Sequence, residues 1–249
     1  MSEKIEVSVI MPAYNEEERI ETCFHRVLGS LKKYGQTFEI ILEEDGSTDR
    51  TPEIIDKLAD EYPFVKALHF PRKMGKGFGV RNGLEAAQGG LIVMIDSDVE
   101  YPPERIPDLL TSIDGNDIIV GARSTWKNVK NGEVRMIRAL LSRMYGIIVR
   151  ALFKVDFNGI KDFQSGFKAF RREVIEAIQP ITSNGFEIDT EILIKALRKG
   201  FRVGVIPITY TYKGNSKVNI VSDPFKMFLS ILGWKINGEL KASDLAERR

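Results

Sequence analysis

The sequence predicts an α/β protein: a doubly wound, mostly parallel sheet with helices on both faces. Two observations predict it. Strand-like and helix-like patterns alternate through the first half of the chain. The strand-like runs are short and apolar, and polar turns close several of them. Such alternation implies right-handed crossovers between parallel strands.

The elements follow in order. Val7 to Met11 reads as a first strand, and Pro12-Ala13-Tyr14-Asn15 ends it. A helix runs from about Glu16 to Tyr34, with Ile20, Phe24, Val27, Leu28 and Leu31 at helical spacing. Phe38 to Leu42 is a second strand. After it, Asp45-Gly46-Ser47-Thr48-Asp49 forms a turn, and Asp49 caps a helix over Thr51 to Glu61. Pro52 suits the first turn of that helix. Val65 to Phe70 is a third strand, and Gly75-Lys76-Gly77 opens a helix to about Gln88. Leu91 to Ile95 is the fourth strand, and Asp117 to Val120 the fifth.

The second half is less regular. It offers a helix over Val134 to Phe153, a loop entering a strand over Asp162 to Phe170, a helix over Ile188 to Arg198 and a strand over Arg202 to Ile206. Asp223-Pro224 reads as a cap and first-turn proline before the apolar run Phe225 to Ile236. The expected organisation is one domain over residues 1–221, then an apolar helix and charged tail over 222–249.

Asp96-Ser97-Asp98-Val99-Glu100 follows the fourth strand directly. Open α/β sheets bind ligands at the carboxyl ends of their strands. Carboxylates gathered there repel one another, and a hard divalent cation is their natural counter-charge. Asp96, Asp98 and Glu100 are therefore candidate ligands for Mg²⁺ or Mn²⁺. The plainer reading is an acidic turn starting a helix. Tyr14-Asn15-Glu16 and Asp45-Gly46-Ser47 end two further strands, and three such turns along one edge describe a nucleotide pocket. In it Asp45 would accept a base N–H, and Lys76 with helix N-termini would offset phosphate charge.

The 249 residues carry a formal net charge of +1, which argues against a general nucleic-acid binder. Cys23 is the only cysteine, so no internal disulfide forms and a reducing compartment is expected. No apolar run reaches the ~18 residues that span a bilayer.

Several motifs together carry a resemblance. They are Val9-Ile10-Met11-Pro12-Ala13-Tyr14-Asn15-Glu16, Glu44-Asp45-Gly46-Ser47-Thr48-Asp49-Arg50-Thr51, Gly75-Lys76-Gly77 with Arg81-Asn82-Gly83, and Asp96-Ser97-Asp98. In this order and spacing the chain resembles glycosyltransferase family 2, with the Rossmann-like GT-A fold. Within it, the chain looks most like the polyprenyl-phosphate enzymes, the dolichyl-phosphate mannosyl- and glucosyltransferases. That likeness continues through Val120-Gly121-Ala122-Arg123, Arg138 with Ser142-Arg143, Gln164-Ser165-Gly166-Phe167-Lys168 and Gly214-Asn215-Ser216-Lys217.

The resemblance implies roles. Pro12, Tyr14 and Glu16 line the nucleotide site, Asp45 reads the base, and Asp96 and Asp98 form the metal pair. Asp98, Arg123, Arg138 and Ser142 are counted as the catalytic residues. Arg123, Arg138 and Ser142, with Lys217, grip the acceptor phosphate. Two departures stand out: Glu44 replaces the first of two common aspartates, and Glu100 stands where mannosyl enzymes usually have glutamine.

The implied reaction moves a hexose from GDP-mannose or UDP-glucose to a polyprenyl (dolichyl) phosphate with inversion. The motif cues for the donor conflict, so both stay open. A phosphate monoester is largely ionised at neutral pH and needs cations rather than a base. At about 100° per residue, Arg135, Arg138, Arg143 and Arg150 share one side of the long helix. Ile137, Leu140, Leu141, Met144 and Ile148 share the other. An ordinary amphipathic surface helix has the same pattern.

The alternatives are a saccharide hydroxyl acceptor, with Asp162, Glu187, Asp189 or Glu191 as base, and a non-catalytic nucleotide-sugar binding module. Plainer readings give Arg123 a surface carboxylate, leave Lys76 solvated, make Asp162 a loop cap, make Glu187, Asp189 and Glu191 a solvated or capping face, and keep His25 and His69 structural. The expected location is the cytoplasmic face of a membrane, with Phe225 to Lys235 lying in the interface or, equally, packing its apolar face against the domain. A membrane partner or self-association would assist, and the sequence does not choose between them.

Overall fold

The computed structural model describes residues 4–127, 132–153, 155, 157, 159–213 and 222–237. In its first half β1 (Val7–Ala13), α1 (Ile20–Tyr34), β2 (Phe38–Glu44), α2 (Thr51–Glu61), β3 (Val65–His69), α3 (Lys76–Ala86) and β4 (Leu91–Met94) alternate as expected. Then come α4 (Ile106–Thr111), β5 (Ile118–Lys127), α5 (Gly132–Leu152), β6 (Lys168–Arg171), α6 (Arg172–Ala177), α7 (Ile188–Arg198), β7 (Val203–Thr211) and α8 (Ser222–Asn237).

The strands form one seven-stranded sheet in the order β3-β2-β1-β4-β6-β5-β7. Only β6 runs antiparallel to its neighbours, β4 and β5. The central strands β1, β2 and β4 are buried on both faces, and alternate residues of β1 serve the two sides. Val9 and Met11 pack with Phe24, Val27 and Leu58 of α1 and α2. Ile10 packs in the opposite layer with Val80, Val149, Phe153 and Ile192 of α3, the α5 end and α7. Burying both faces is what a parallel sheet requires.

Several boundaries differ from the sequence expectation for local reasons. Helix α1 starts at Ile20 rather than Glu16, because Asn15 takes a positive φ of 53° and residues 16–19 form a turn. Helix α3 stops short of Gln88, whose N–H goes to Glu39 Oε1 at 2.6 Å and Ser8 Oγ at 3.1 Å. Helices α4 and α6 carry too short a pattern to be anticipated. Ser222 opens α8, so Asp223 and Pro224 lie inside its first turn.

Candidate active site

The strand order sets β2, β1 and β4 side by side, so their terminal turns meet at one edge. Hydrogen bonds fasten these turns together. Asn15 N–H donates to Ser47 Oγ at 2.9 Å, and Glu16 N–H to Thr51 Oγ1 at 2.8 Å. Ser97 Oγ donates to the Pro12 carbonyl at 2.7 Å. Because β6 is antiparallel, its entering loop reaches the same edge, where Met94 pairs with Lys168.

Asp45 sits in the first part of this edge and is buried. Its Oδ1 accepts from Met74 N–H at 2.5 Å, and its Oδ2 accepts from Gly75 N–H at 2.9 Å. Burial pushes the Asp45 carboxyl up, while these N–H groups and Lys73 pull it back. Lys73 in turn lies over the Tyr14 ring at 3.8 Å. Glu16 pairs with Arg19 Nε at 2.7 Å.

Past β4 the acidic turn is tightly shaped. Val99 adopts φ 61°, a strained state for a β-branched residue, between Asp98 and Glu100. Asp98 Oδ1 accepts from Glu100 N–H at 3.0 Å. Burial, with repulsion from Asp96 and Glu100, raises Asp98 well above the usual carboxylate range. Asp96 meets Gly166 from the loop before β6, and a Cβ there would collide with its carboxylate. Glu100 is engaged elsewhere: it accepts from the Tyr210 hydroxyl and from Lys213 N–H, the latter at 2.9 Å.

Lys76 crosses the site from the start of α3. Its Nζ lies 2.7 Å from Asp96 Oδ1 and 3.5 Å from Asp189 Oδ2. Burial opposes this charge, yet Asp189 and Asp96 outweigh it and hold the ammonium above its ordinary range. Asp189 also pairs with fully buried Lys168 at 2.6 Å. On the other side, Arg123 donates from Nε and an Nη to the two oxygens of Asp162, each at 2.7 Å. Burial resists the Asp162 charge, but Arg123 more than offsets it and keeps the carboxyl low. The guanidinium lies 5.5 Å from the Tyr210 ring centroid.

These groups line a cavity of about 1560 Å³. Pro12, Tyr14, Glu16, Asp45 and Lys76 line it together with Asp96, Asp98, Glu100 and Arg123. Ser142 and Arg143 of α5 and Lys226, Met227 and Trp234 of α8, two helices in contact, complete the wall. The volume exceeds the usual ~300–1,000 Å³ of a small-molecule site. Arg138 lies on α5, its side chain outside the described residues, as Lys217 is entirely. Arg150 does not join the cationic side: it donates to the carbonyls of Gly146 and Ile160 and stacks near Phe163.

Sequence reasoning missed the buried Lys168–Asp189 pair, the Tyr210 hydroxyl on Glu100, Lys226, and Glu43 in the cavity wall. Lys168 lies in a quoted motif, but nothing local marks it as buried. Glu43 precedes the acidic pair Glu44-Asp45 at a position that alternation assigns to the sheet's interior, and that was its one signal.

Among the described residues, no three carboxylate, histidine or cysteine side chains already converge on a metal-sized point. Asp98 nevertheless suits a divalent cation: it is half-buried beside the like charges of Asp96 and Glu100, and among the described residues no salt bridge joins it to a cation. Mg²⁺ is commonly held by one or two carboxylates plus substrate phosphates.

The profile described as Glycosyl transferase family 2 matches residues 8–179. Glycosyltransferase AglD of Haloferax volcanii is 34% identical over 92% of this chain and 36% of its own length. The dolichol-phosphate mannosyltransferase of Pyrococcus furiosus is 37% identical over 86% of this chain and 59% of its own. The chain thus spans between about a third and three-fifths of these relatives. Among solved structures, glucosyl-3-phosphoglycerate synthase of M. tuberculosis, in complex with Mn²⁺, UDP and phosphoglyceric acid, superposes with a TM-score of 0.68. It is 21% identical, over 92% of this chain and 79% of that one.

Proposed function

Because this chain belongs to glycosyl transferase family 2, we propose that it moves a hexose from a nucleotide sugar to the phosphate of a polyprenyl phosphate such as dolichyl phosphate. A phosphate oxygen forms the new bond to the anomeric carbon from the face opposite the donor. The bond from that carbon to the diphosphate oxygen breaks, its electron pair leaves with the nucleoside diphosphate, and the configuration inverts.

The observation that carries this reading is the state of the carboxylates that would otherwise act as a base. Asp162 is locked to Arg123. Asp189 is held by Lys168 and Lys76. Glu191 accepts from Ser183 N–H at 2.8 Å and pairs with Lys195 at 2.6 Å. Groups so occupied are poor proton acceptors, whereas an acceptor phosphate needs none. Glu187, which accepts from Gly185 N–H at 3.2 Å, is the remaining base candidate for a hydroxyl acceptor.

Each part of the cavity wall then has a task. Tyr14, Asp45 and Lys76 hold the nucleotide. Arg123, Ser142 and the α5 arginines, with Arg138 and Lys217, offset the acceptor phosphate, a task that suits the always-charged guanidinium. Asp98 and Asp96 would hold Mg²⁺ or Mn²⁺, and Glu100 would join by releasing Tyr210 and Lys213. When bound, the ion neutralises the departing diphosphate as a Lewis acid.

Among the described residues no helix is long and apolar enough to cross a membrane. Docking at the cytoplasmic face through α5 and α8, the latter within the 222–249 segment, brings the lipid to the cavity. The test is transfer from radiolabelled GDP-mannose and UDP-glucose to polyprenyl phosphate with Mg²⁺ or Mn²⁺. Labelled lipid in wild type and in Glu187→Gln is expected. Transfer only to saccharide hydroxyls, lost in Glu187→Gln, would overturn the assignment.

A further inference from the structure

Glu43 is the penultimate residue of β2, two positions before Asp45, and is 0% exposed. Neither of its carboxyl oxygens has a hydrogen-bond partner among the described residues. Helix α3 comes so close that a Cβ at Gly79 would collide with the carboxyl group. The residue nonetheless lines the cavity, with Asp45, Lys73 and Met74. Burial, then repulsion by Asp45 and Glu44, pushes its carboxyl up to about 9. At neutral pH it is a carboxylic acid with an idle O–H donor and an idle carbonyl. Such a group is costly to bury unless something hydrogen-bonds to it.

Asp45 has capacity for one ligand. It accepts three contacts from Met74 and Gly75 N–H, and a carboxylate offers about four acceptor sites. The remaining site suits a ring N–H. In uracil and guanine the ring N–H adjoins a ring carbonyl. In cytosine and adenine the same edge has an unprotonated ring nitrogen beside an amino group.

We propose that Glu43 is a base-reading residue: its carboxyl O–H donates to the ring carbonyl of uracil or guanine next to the N–H that Asp45 accepts. Asp45 alone would distinguish a ring N–H from a bare nitrogen. Glu43 adds a donor that matches a carbonyl and opposes an amino group, so the pair reads two adjacent positions. This deepens the nucleotide-sugar reading and rests on it.

The experiment is calorimetric titration of the full chain with UDP, GDP, CDP and ADP, each with Mn²⁺, for wild type, Glu43→Gln and Glu43→Leu. Wild type is expected to prefer UDP or GDP. Glu43→Leu should lose about tenfold in affinity for the preferred nucleotide, the effect of one hydrogen bond, with CDP and ADP unchanged. Glu43→Gln keeps an N–H donor and should recover most of the loss. Glu43→Met, close in length and without a donor, gives the same comparison if the leucine variant does not fold. Donor-less variants that bind the preferred nucleotide within twofold of wild type, or that lose equally for all four, overturn the proposal. Wild type binding none of the four would overturn the nucleotide-sugar reading itself, and this inference with it.

Discussion

Lys76 Nζ lies 2.7 Å from Asp96 Oδ1, so a lysine from α3 already pairs with one of the two aspartates proposed to hold a cation. A cation at Asp96 must compete with that ammonium, and a diphosphate arriving with it gives Lys76 a new partner. Lys76→Met is therefore expected to act in two directions. Without nucleotide, Mn²⁺ affinity should rise about fivefold, the equivalent of one partly exposed ion pair of ~1 kcal/mol. With donor present, KM for the nucleotide sugar should rise tenfold or more. Free Mn²⁺ measured by electron paramagnetic resonance, beside initial rates, checks both signs. A fall in both affinities would remove the competition.

Asp98 is half-buried beside Asp96 and Glu100, and its charge is disfavoured there. A site that gathers like charges for a ligand sacrifices stability without it. Asp98→Asn should melt at or above the wild-type temperature in metal-free buffer, while transfer falls at least a hundredfold. Chelation of divalent ions should abolish wild-type transfer reversibly. Near-normal turnover in Asp98→Asn would end the metal role.

The Arg123–Asp162 pair is bidentate and mostly buried. Removing one partner of such a pair strands the other, at a cost on the order of 3 kcal/mol. Asp162→Asn should lower unfolding stability by about that amount and raise KM for the polyprenyl phosphate more than for the donor. The Asp162 carboxyl is depressed in the fold, so its contribution is full above the unfolded-chain value of about 3.9. It is lost as pH falls through the lower folded value. A variant of unchanged stability whose kcat alone collapses would instead mark Asp162 as a base.

Glu43 has the opposite sign. Its folded pKa of about 9 lies above its unfolded one, so the folded state holds a proton that the unfolded chain releases. Stability is full below the unfolded value and falls as pH rises toward 9, by up to about 1.4 kcal/mol per pH unit. Urea unfolding of wild type and Glu43→Gln between pH 5 and about 9 isolates this part. The variant should lack it and gain on wild type as pH rises. Parallel pH profiles for the two proteins would show that Glu43 is ionised in the fold.

How much of this was legible depended on distance along the chain. Short apolar stretches at residues 9–11, 40–42 and 91–94 marked β1, β2 and β4, and their alternation with helices implied a sheet that gathers the turns of Tyr14, Asp45 and Asp96 along one edge. Strand β6 was legible as a strand after the loop from Asp162, but its direction and place in the sheet were not. Its four residues include Lys168 and Arg171, and nothing local encodes an antiparallel insertion between β4 and β5. Charge partners were equally hidden. Lys76 and Asp189 are 113 positions apart, and Arg123 and Asp162 are 39 apart. The plain reading of Arg123 as one half of an ion pair and the reading of Asp162 as a local cap converge on one contact. Asp162 Oδ1 also accepts from Gln164 N–H, at 3.3 Å. The apolar side of α5 was visible as a pattern, but its exposure was not.

That exposure leads to the last prediction. Leu140, Met144 and Ile147 share one face of α5 and are 59%, 49% and 65% exposed. Phe225, Leu229 and Ile236 do the same on α8, at 62%, 49% and 75%. The two helices pack on each other beside the cavity wall that holds Ser142 and Lys226. An apolar patch rimmed by lysines suits a lipid surface, since each buried side chain contributes about 1.5–3 kcal/mol and each nearby lysine ~1 kcal/mol on anionic lipid. Ile147→Glu combined with Leu229→Glu should lower binding to phosphatidylglycerol-containing vesicles about a hundredfold, in line with two lost side chains. Transfer to a long acceptor embedded in those vesicles should fall in step, while transfer to a short acceptor free in solution should not. Both charges lie on the outer face, so a loss with both acceptors would mean that α5 and α8 shape the cavity instead of docking it.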